Sequence, residues 1–307
     1  MASTTKDAGR TGFRYRRLAK PEEFRAAEEL QREAFGMEGE VPTGATLQRA
    51  FQDQGGLVLG AFADIYLAGV SIGFLGWDGR ELYHYAQITA VRPEYQNHHV
   101  GFQLNAFLRE EVLRQGLPRV RATFDPLHSR AAQLAVRRLG GVPDRYLTHY
   151  YGQLDSEANR GLETDRLRLT WELASPRTEA RLAGKLPAPE EDLARWKRSA
   201  ALVETEVSEE GFRHPSSVVE TEAAEAHLEV PFDLGAIREH AGGFLRPWRH
   251  AVRDAFRASL DVGYVVDDFA VLHLEHERRG FYFLSKGPAT APLPSESPAG
   301  PGRPTVP

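Results

Sequence analysis

Residues 87–104, QITAVRPEYQNHHVGFQL, set an apolar strand, a proline stop at Pro93 and a polar loop directly before an amphipathic helix. Chemistry at such a junction comes from the backbone. The first four N–H groups of a helix lack internal partners and the macrodipole is positive at that end, so a pyrophosphate can be held there without lysine or metal. Gly101 suits this use, because a residue without a Cβ lets a ligand approach the main chain. Side chains able to move protons or bind charge stand elsewhere: His84 and Gln87 on the strand, Asp125 after another apolar segment, the neighbours Tyr150 and Tyr151, and Arg166 beside Asp165.

The elements that must position them follow from the apolar pattern. Residues 13–18 alternate as a short strand does. Pro21 opens a helix with Glu22 and Glu23 in its first turn and Phe24, Ala27, Leu30, Ala34 and Phe35 on its apolar face. A loop at 36–44 and a short helix at 46–54 lead to strands at 57–63 and 65–75, and Trp77-Asp78-Gly79-Arg80 turns the chain into the strand of the opening stretch. A helix at 100–115 follows, then a strand at 119–124, a helix at 129–139 closed by Gly140-Gly141, a tyrosine-rich strand at 145–154 and a strand at 167–173. This alternation predicts an α/β protein.

The Pro-, Ala- and charge-rich stretch 175–190 reads as a linker. It separates a polar tail at 1–12 and a first domain at 13–174 from a second α+β region at 191–286, with a proline-rich, disordered tail at 287–307. In the second region 191–199 and 245–260 suit helices, and 201–206, 226–230, GYVVDDFAVLHLEH and FYFLSK suit strands. Residues 129–154 and 245–284 share an order of helix, glycine, strand and tyrosine or phenylalanine pair. A degenerate repeat and a coincidental helix-plus-hairpin both fit that echo.

Composition narrows the class. With 41% hydrophobic and 26% charged residues the chain has the balance of a soluble globular protein. Its net charge is −5 and its 38 basic residues form no block, so no nucleic-acid partner is expected. Cysteine is absent, which excludes disulfides, thiolate nucleophiles and cysteine-ligated zinc. With no apolar leader and no run of the roughly 18 apolar residues that a membrane span needs, a cytoplasmic protein without a membrane partner is the expectation.

Val91-Arg92-Pro93-Glu94-Tyr95-Gln96, continuing to Gly101, resembles the GNAT acyltransferases, whose signature is a strand, V-x-P-x-[YF], and a [QR]-x-x-[GA]-x-[GA] loop opening a helix. Thr123-Phe124-Asp125-Pro126-Leu127, His128-Ser129-Arg130-Ala131, Tyr150-Tyr151-Gly152 and Thr164-Asp165-Arg166 with Trp171-Glu172 are similar, in that order, to a bacterial GNAT subgroup of predicted N-acyltransferases. The resemblance implies a GNAT fold with a mixed, splayed central sheet, the second region being an added α+β part for which a degenerate GNAT-like half is one reading. It also implies acetyl-CoA or another acyl-CoA as co-substrate, no metal, a small-molecule amine as partner and a homodimer. The acyl-CoA arm is implied to lie along Ile88, Thr89, Ala90 and Val91, with its phosphates at Gln96, Asn97, His98, His99, Val100, Gly101 and Phe102 and a contact from Ser129. Three departures from the family pattern stand out: His99 replaces the first small residue of the loop, Asn97 and His98 stand where Arg or Gly is usual, and in the following helix Ser129 and Val136 stand where many members have Asn and Tyr, with Ala131 at the subgroup's Asn.

Acyl transfer to an amine needs a neutral amine, a polarised carbonyl and a proton for the thiolate. His84 through a water, or Asp125 at a strand's C-terminal end, are candidates for the proton from the amine. A hydrogen-bonded strand histidine and a helix-capping aspartate are the structural alternatives. Tyr150 or Tyr151 is a candidate acid, with core packing as the alternative, and Gln87 can only bind. Arg166 suits a carboxylate on an amino acid or on a succinyl group, or else a structural ion pair with Asp165. His273-Leu274-Glu275-His276 is not read as a metal site, because strand alternation puts His276 on the opposite face from His273 and Glu275. A catalytically degenerate acyl-CoA sensor or interaction protein is the reading of a different class.

Overall fold

The computed structural model describes residues 6–7, 12–37, 42–154, 156, 159 and 161–287; the expected tails at 1–12 and 287–307 fall almost wholly outside them. The first half of the chain builds one eight-stranded mixed sheet in the order β1-β2-β3-β4-β5-β6-β8-β7. Its strands are β1 (Lys6–Asp7), β2 (Phe13–Arg17), β3 (Leu57–Ala63), β4 (Tyr66–Trp77), β5 (Leu82–Val91), β6 (Arg119–Phe124), β7 (Val142–Leu147) and β8 (Arg166–Glu172). All neighbours are antiparallel except β5 and β6. Helices α1 (Pro21–Phe35) and α2 (Ala45–Asp53) cover β2–β5 through Phe24, Ala27 and Leu30. The crossover between the parallel strands is α3 (Val100–Arg114), which buries Leu104, Phe107, Leu108 and Val112. The mixed, splayed α/β sheet expected from the resemblance is therefore the sheet this chain forms.

The second half is a four-stranded sheet in the order β13-β14-β12-β9, formed by β9 (Ala200–Ala201), β12 (Glu225–Val230), β13 (Tyr264–Leu274) and β14 (Glu277–Lys286). A separate hairpin of β10 (Val203–Val207) and β11 (Arg213–Val218) leaves this sheet after β9. The second sheet repeats, strand for strand, the β5-β6-β8-β7 part of the first. β9 is parallel to β12, as β5 is to β6; β12–β14 and β13–β14 are antiparallel, as are β6–β8 and β7–β8. Even the irregularity repeats: the extra residue Asp144 falls between the pairs Pro143↔Leu169 and Arg145↔Arg168, and Asp267 falls between Val266↔Leu284 and Asp268↔Phe283. Each bulged carboxylate accepts from a hydroxyl on the partner strand, Thr170 in one case and Ser285 in the other. The echo between 129–154 and 245–284 thus has a structural basis in a shared register and a shared bulge. What differs is the crossover, where the helix α3 of the first half is matched by the β10–β11 hairpin.

The halves pack across their hairpins. β7 lies against β13, a π-helical turn (Gln133–Arg138) that extends α4 (Ser129–Ala132) lies on β13, and α8 (Leu245–Asp261) lies on β7. Buried charge joins them. Asp268 accepts from Arg137 at 2.9 Å and Arg181 at 2.7 Å, and Arg137 also donates to Asp192 at 2.7 Å. Within the stretch read as a linker, Pro176–Leu182 is helix α5, started by proline at its first turn and by the Ser175 side chain, which accepts from the Thr178 N–H. Two more helices, α6 (Pro189–Arg198) and α7 (Leu234–His240), complete the fold.

Two expectations are corrected. β7 ends at Leu147, so Tyr150 and Tyr151 lie in a turn and strand alternation does not apply to them. The turn forms because Thr164 and Asp165 bind its main chain: the N–H groups of His149, Tyr150 and Tyr151 donate to Asp165, the Thr164 carbonyl and the Thr164 hydroxyl at 2.9, 3.0 and 3.1 Å. Glu275 and His276 are the two turn residues of the β13–β14 hairpin, with φ of 50° and 72°, and do not belong to a strand. Among the described residues no helix is long and apolar enough to cross a membrane.

Asp268→Asn takes from buried Arg181 its carboxylate partner and from Arg137 one of its two, and is expected to cost about 3–5 kcal/mol. Urea unfolding followed by circular dichroism and by tryptophan fluorescence should give one coincident transition at a lower midpoint. A second transition left at the wild-type midpoint would show that the first half folds independently.

Candidate active site

Parallel pairing of β5 with β6 stops at Ala86↔Ala122, while β5 stays paired with β4 as far as Val91. Gln87 is the extra residue of a bulge, lying between the pairs Ile72↔Ile88 and Gly73↔Ala86. Beyond it the two strands part. The Arg92 N–H faces β4, donating to the Ala68 carbonyl at 3.0 Å, so alternation aims the N–H groups of Thr89 and Val91 into the gap. The Val91 carbonyl faces the same way and accepts from the Gln96 side chain at 3.2 Å.

The loop after β5 makes a 3-10 turn at Pro93–Tyr95 and then passes through left-handed residues at Asn97 (φ 65°) and His99 (φ 59°). Asparagine adopts this conformation readily; histidine does so less often. His99 is the residue before α3, and no side chain caps that helix, which leaves the N–H groups of Val100, Gly101 and Phe102 open. A Cβ on Gly101 would stand 3.7 Å from Leu134 and 3.8 Å from Val91, in ordinary contact. The protein itself does not demand glycine there.

Strand edge, loop and helix start line one cleft of about 1010 Å³, whose other wall is the end of β6, α4 and its π turn. The second half adds Phe232, Asp233, Val271 and Arg278 to that wall. Arg138 lies 5.0 Å from the ring of Phe102, the third residue of α3. Among the described residues Arg130, Arg138 and Arg278 make no ion pair, so this cleft is electropositive in a chain of net charge −5.

The inner end of the cleft is a charge ledger that nearly cancels. Asp125 is gripped through both oxygens by Arg249 of α8, at 2.9 and 2.6 Å, and the Arg249 side chain is fully buried. Burial by itself raises the Asp125 carboxyl, but the Arg249 guanidinium outweighs it and holds the group at about 2. Asp165 is gripped the same way by Arg253, at 2.7 and 3.0 Å, and accepts from the Tyr146 hydroxyl at 2.8 Å. Arg166 is the cation left over. It donates to the Asp165 carbonyl at 2.8 Å and the Asn159 amide oxygen at 3.2 Å, both neutral, and stands 3.8 Å from the already paired Asp125. Its guanidinium lies 5.2 Å from the Tyr151 ring. The Tyr151 hydroxyl closes a cluster with Thr123 at 3.1 Å and Tyr85 at 3.5 Å, and Tyr85 meets Thr123 at 3.2 Å. Burial keeps the Tyr85 phenol protonated, well above its ordinary range.

Of the residues expected from the sequence, Gln87, Ile88, Thr89, Ala90, Val91, Gln96, Asn97, His99, Val100, Gly101, Phe102, Asp125, Ser129, Tyr151 and Arg166 line this cleft, whereas His84, His98 and Tyr150 do not. His84 is fully buried behind β5 against Gly73, with neither ring nitrogen partnered, and burial lowers it to about 4. The Ser129 hydroxyl donates to the Pro231 carbonyl of the second half at 2.6 Å. Sequence reasoning missed Thr123, Tyr85, His128, Arg138 and the residues of the second half. For His128 a signal existed, one residue before Ser129; for the pairing of Arg249 with Asp125, 124 positions away, none did.

The fold is similar to several solved structures. These include the NatC complex bound to Gag peptide and CoA (17% identity, 52% of this chain and 98% of that chain, TM-score 0.42). The ribosomal-protein-S18-alanine N-acetyltransferase of Escherichia coli is similar over 53% of this chain and 95% of its own (17% identity, TM-score 0.43). The structure of yncA from Salmonella typhimurium with its cofactor acetyl-CoA is similar over 54% of this chain and 98% of its own (17% identity, TM-score 0.42). No family model and no curated sequence matches this chain.

Arg249→Met removes the partner of a buried carboxylate and should cost about 3–5 kcal/mol at pH 7. The sign with pH is specific. In the wild type Asp125 has a folded value of about 2 against 3.8 unfolded, so its contribution is present above pH 3.8 and is lost as pH falls through 2. In the variant the unpaired carboxylate sits above 3.8, so the deficit should be largest at pH 7 and shrink towards pH 4. Urea midpoints at both pH values check this.

Proposed function

We propose that this chain is an acyl-CoA-dependent N-acyltransferase that moves an acyl group directly to the amine of a small molecule in a ternary complex. One observation carries the reading: where β5 and β6 part, outward-facing N–H groups of β5 and the uncapped start of α3 line the same electropositive cleft. Strand N–H groups suit the amides of a pantetheine arm, and a helix start suits its pyrophosphate. The freedom of space at Gly101 fits a ligand lying against that turn.

In this reading the Thr89 or Val91 N–H polarises the thioester carbonyl while the amine attacks its carbon. The C–S bond breaks as the C–N bond forms, and the thiolate takes a proton from the hydroxyl cluster, with Tyr151 nearest the cleft. Asp125 does not serve as the base, since Arg249 holds it ionised and weakly basic. His128 lines the cleft, burial holds it below its ordinary value, and as a neutral imidazole it accepts the amine proton. Arg166, whose only nearby carboxylate is the Asp125 already held by Arg249, binds a carboxylate carried by an amino-acid acceptor or by a succinyl group.

The second reading is an acyl-CoA sensor without turnover. It is favoured by the commitment of Asp125 to Arg249 and of the Ser129 hydroxyl to Pro231, which leaves fewer free groups at the reacting end.

Thermal melts with acetyl-CoA and succinyl-CoA, followed by thiol release with a panel of amino acids and amines, test both. The enzyme reading expects stabilisation and thiol release. Stabilisation alone would leave the sensor, and no CoA-dependent shift would remove both. Arg166→Ala is expected to raise KM for the carboxylate-bearing partner about 10-fold to 100-fold, the equivalent of roughly 1.5–3 kcal/mol for a charged hydrogen bond, with kcat little changed. An unchanged KM would remove Arg166 from the site.

A further inference from the structure

The second half reaches the cleft beside the start of α4. Phe232 and Arg278 sit together there, with the Arg278 guanidinium 4.2 Å from the ring centroid. Phe232 is half-buried, Arg278 is exposed, and among the described residues Arg278 has no acidic partner. The pair is held against α4. Ser129, at the start of that helix, donates to Pro231, the residue before Phe232, and Gly280, two residues after Arg278, is so close to Ser129 that a Cβ there would stand 2.7 Å from its hydroxyl. Arg130, the next residue of α4, lines the same wall and is also unpaired. Asp233 contributes the opposing charge, but its carboxylate caps α7, accepting from the Ala236 N–H at 3.0 Å.

We infer that Phe232 and Arg278 form the adenosine end of the acyl-CoA site: the ring stacks on the adenine, and the Arg278 guanidinium pairs with the 3′-phosphate, the one phosphate of CoA that lies away from the pyrophosphate. This rests on the acyl-CoA reading above. A flat aromatic surface beside an unpaired guanidinium is what a phosphorylated nucleoside requires. A cleft of about 1010 Å³, at the top of the roughly 300–1,000 Å³ range of small-molecule pockets, has room for a ligand longer than the thioester arm alone. The second half then completes the cofactor site of the first. Its own crossover is a hairpin and offers no helix start for a pyrophosphate.

Titration calorimetry of the full chain with CoA and with 3′-dephospho-CoA separates the possibilities. Arg278→Ala should weaken CoA about 10-fold and leave dephospho-CoA within about two-fold. Phe232→Ala should weaken both nucleotides by about five-fold or more, while Phe232→Tyr, which keeps the ring, restores them. Equal losses for CoA and dephospho-CoA in Arg278→Ala, or no loss for either, would overturn the phosphate assignment. Wild-type protein that binds neither nucleotide would overturn the acyl-CoA reading together with this one, an outcome distinct from selective failure of the variants.

Discussion

The bidentate pairing of Asp125 with Arg249 joins the end of β6, where the cleft opens, to α8 of the other half. A carboxylate so deeply buried is tolerated because its bidentate partner is fixed on a helix that is itself packed on β7, with the Leu127 N–H and the more distant Arg166 adding lesser support. The pair adds little net stability over apolar residues of the same shape, but breaking it from one side is costly. That asymmetry gives the junction its specificity. It also decides what is left at the inner end of the cleft, since Asp125 and Asp165 each take one arginine of α8 and Arg166 keeps only neutral hydrogen-bond acceptors and a longer, 3.8 Å contact with the shared Asp125.

The two sheets show how one topology can be kept while its use changes. Strand order, direction, register and the bulged aspartate of β5-β6-β8-β7 recur in the four strands of the second sheet. The register counterpart of Asp125 in the second half is Glu229, which pairs with Arg279 of the neighbouring strand and accepts from Thr205, at a smaller pocket of about 430 Å³. With a β-hairpin in place of the crossover helix, a row of open N–H groups is lost, and with it the positive end of a dipole. The second half is left as a wall and a clamp for the first.

Much of the first half was legible because its signals are local. Apolar alternation, the proline after Val91 and the glycines that stop helices act within a few residues, and the resulting elements agree with the expected strands and helices nearly throughout. The cleft-lining stretch from Gln87 to Phe102 was legible for the same reason, since its contribution is made by main-chain groups whose direction follows from strand and helix geometry. The expected strand through Tyr150 and Tyr151 failed where a competing set of hydrogen bonds, from Thr164 and Asp165, outbid the ladder. Helix α5 was hidden by a composition that resembles a linker, although the serine cap and first-turn proline were present.

The sequence by itself determined the α/β pattern, the strand–loop–helix junction and the candidate groups around it, because each depends on neighbours in the chain. Only the tertiary structure decided what those groups can do. It removed His84 from the cleft by burying it behind β5, committed Asp125 to an arginine 124 residues away, left Arg166 as the spare cation, and brought Phe232 and Arg278 to the cleft wall. Charge balance and access are properties of a packed site, set by long-range partners, and no local pattern encodes them.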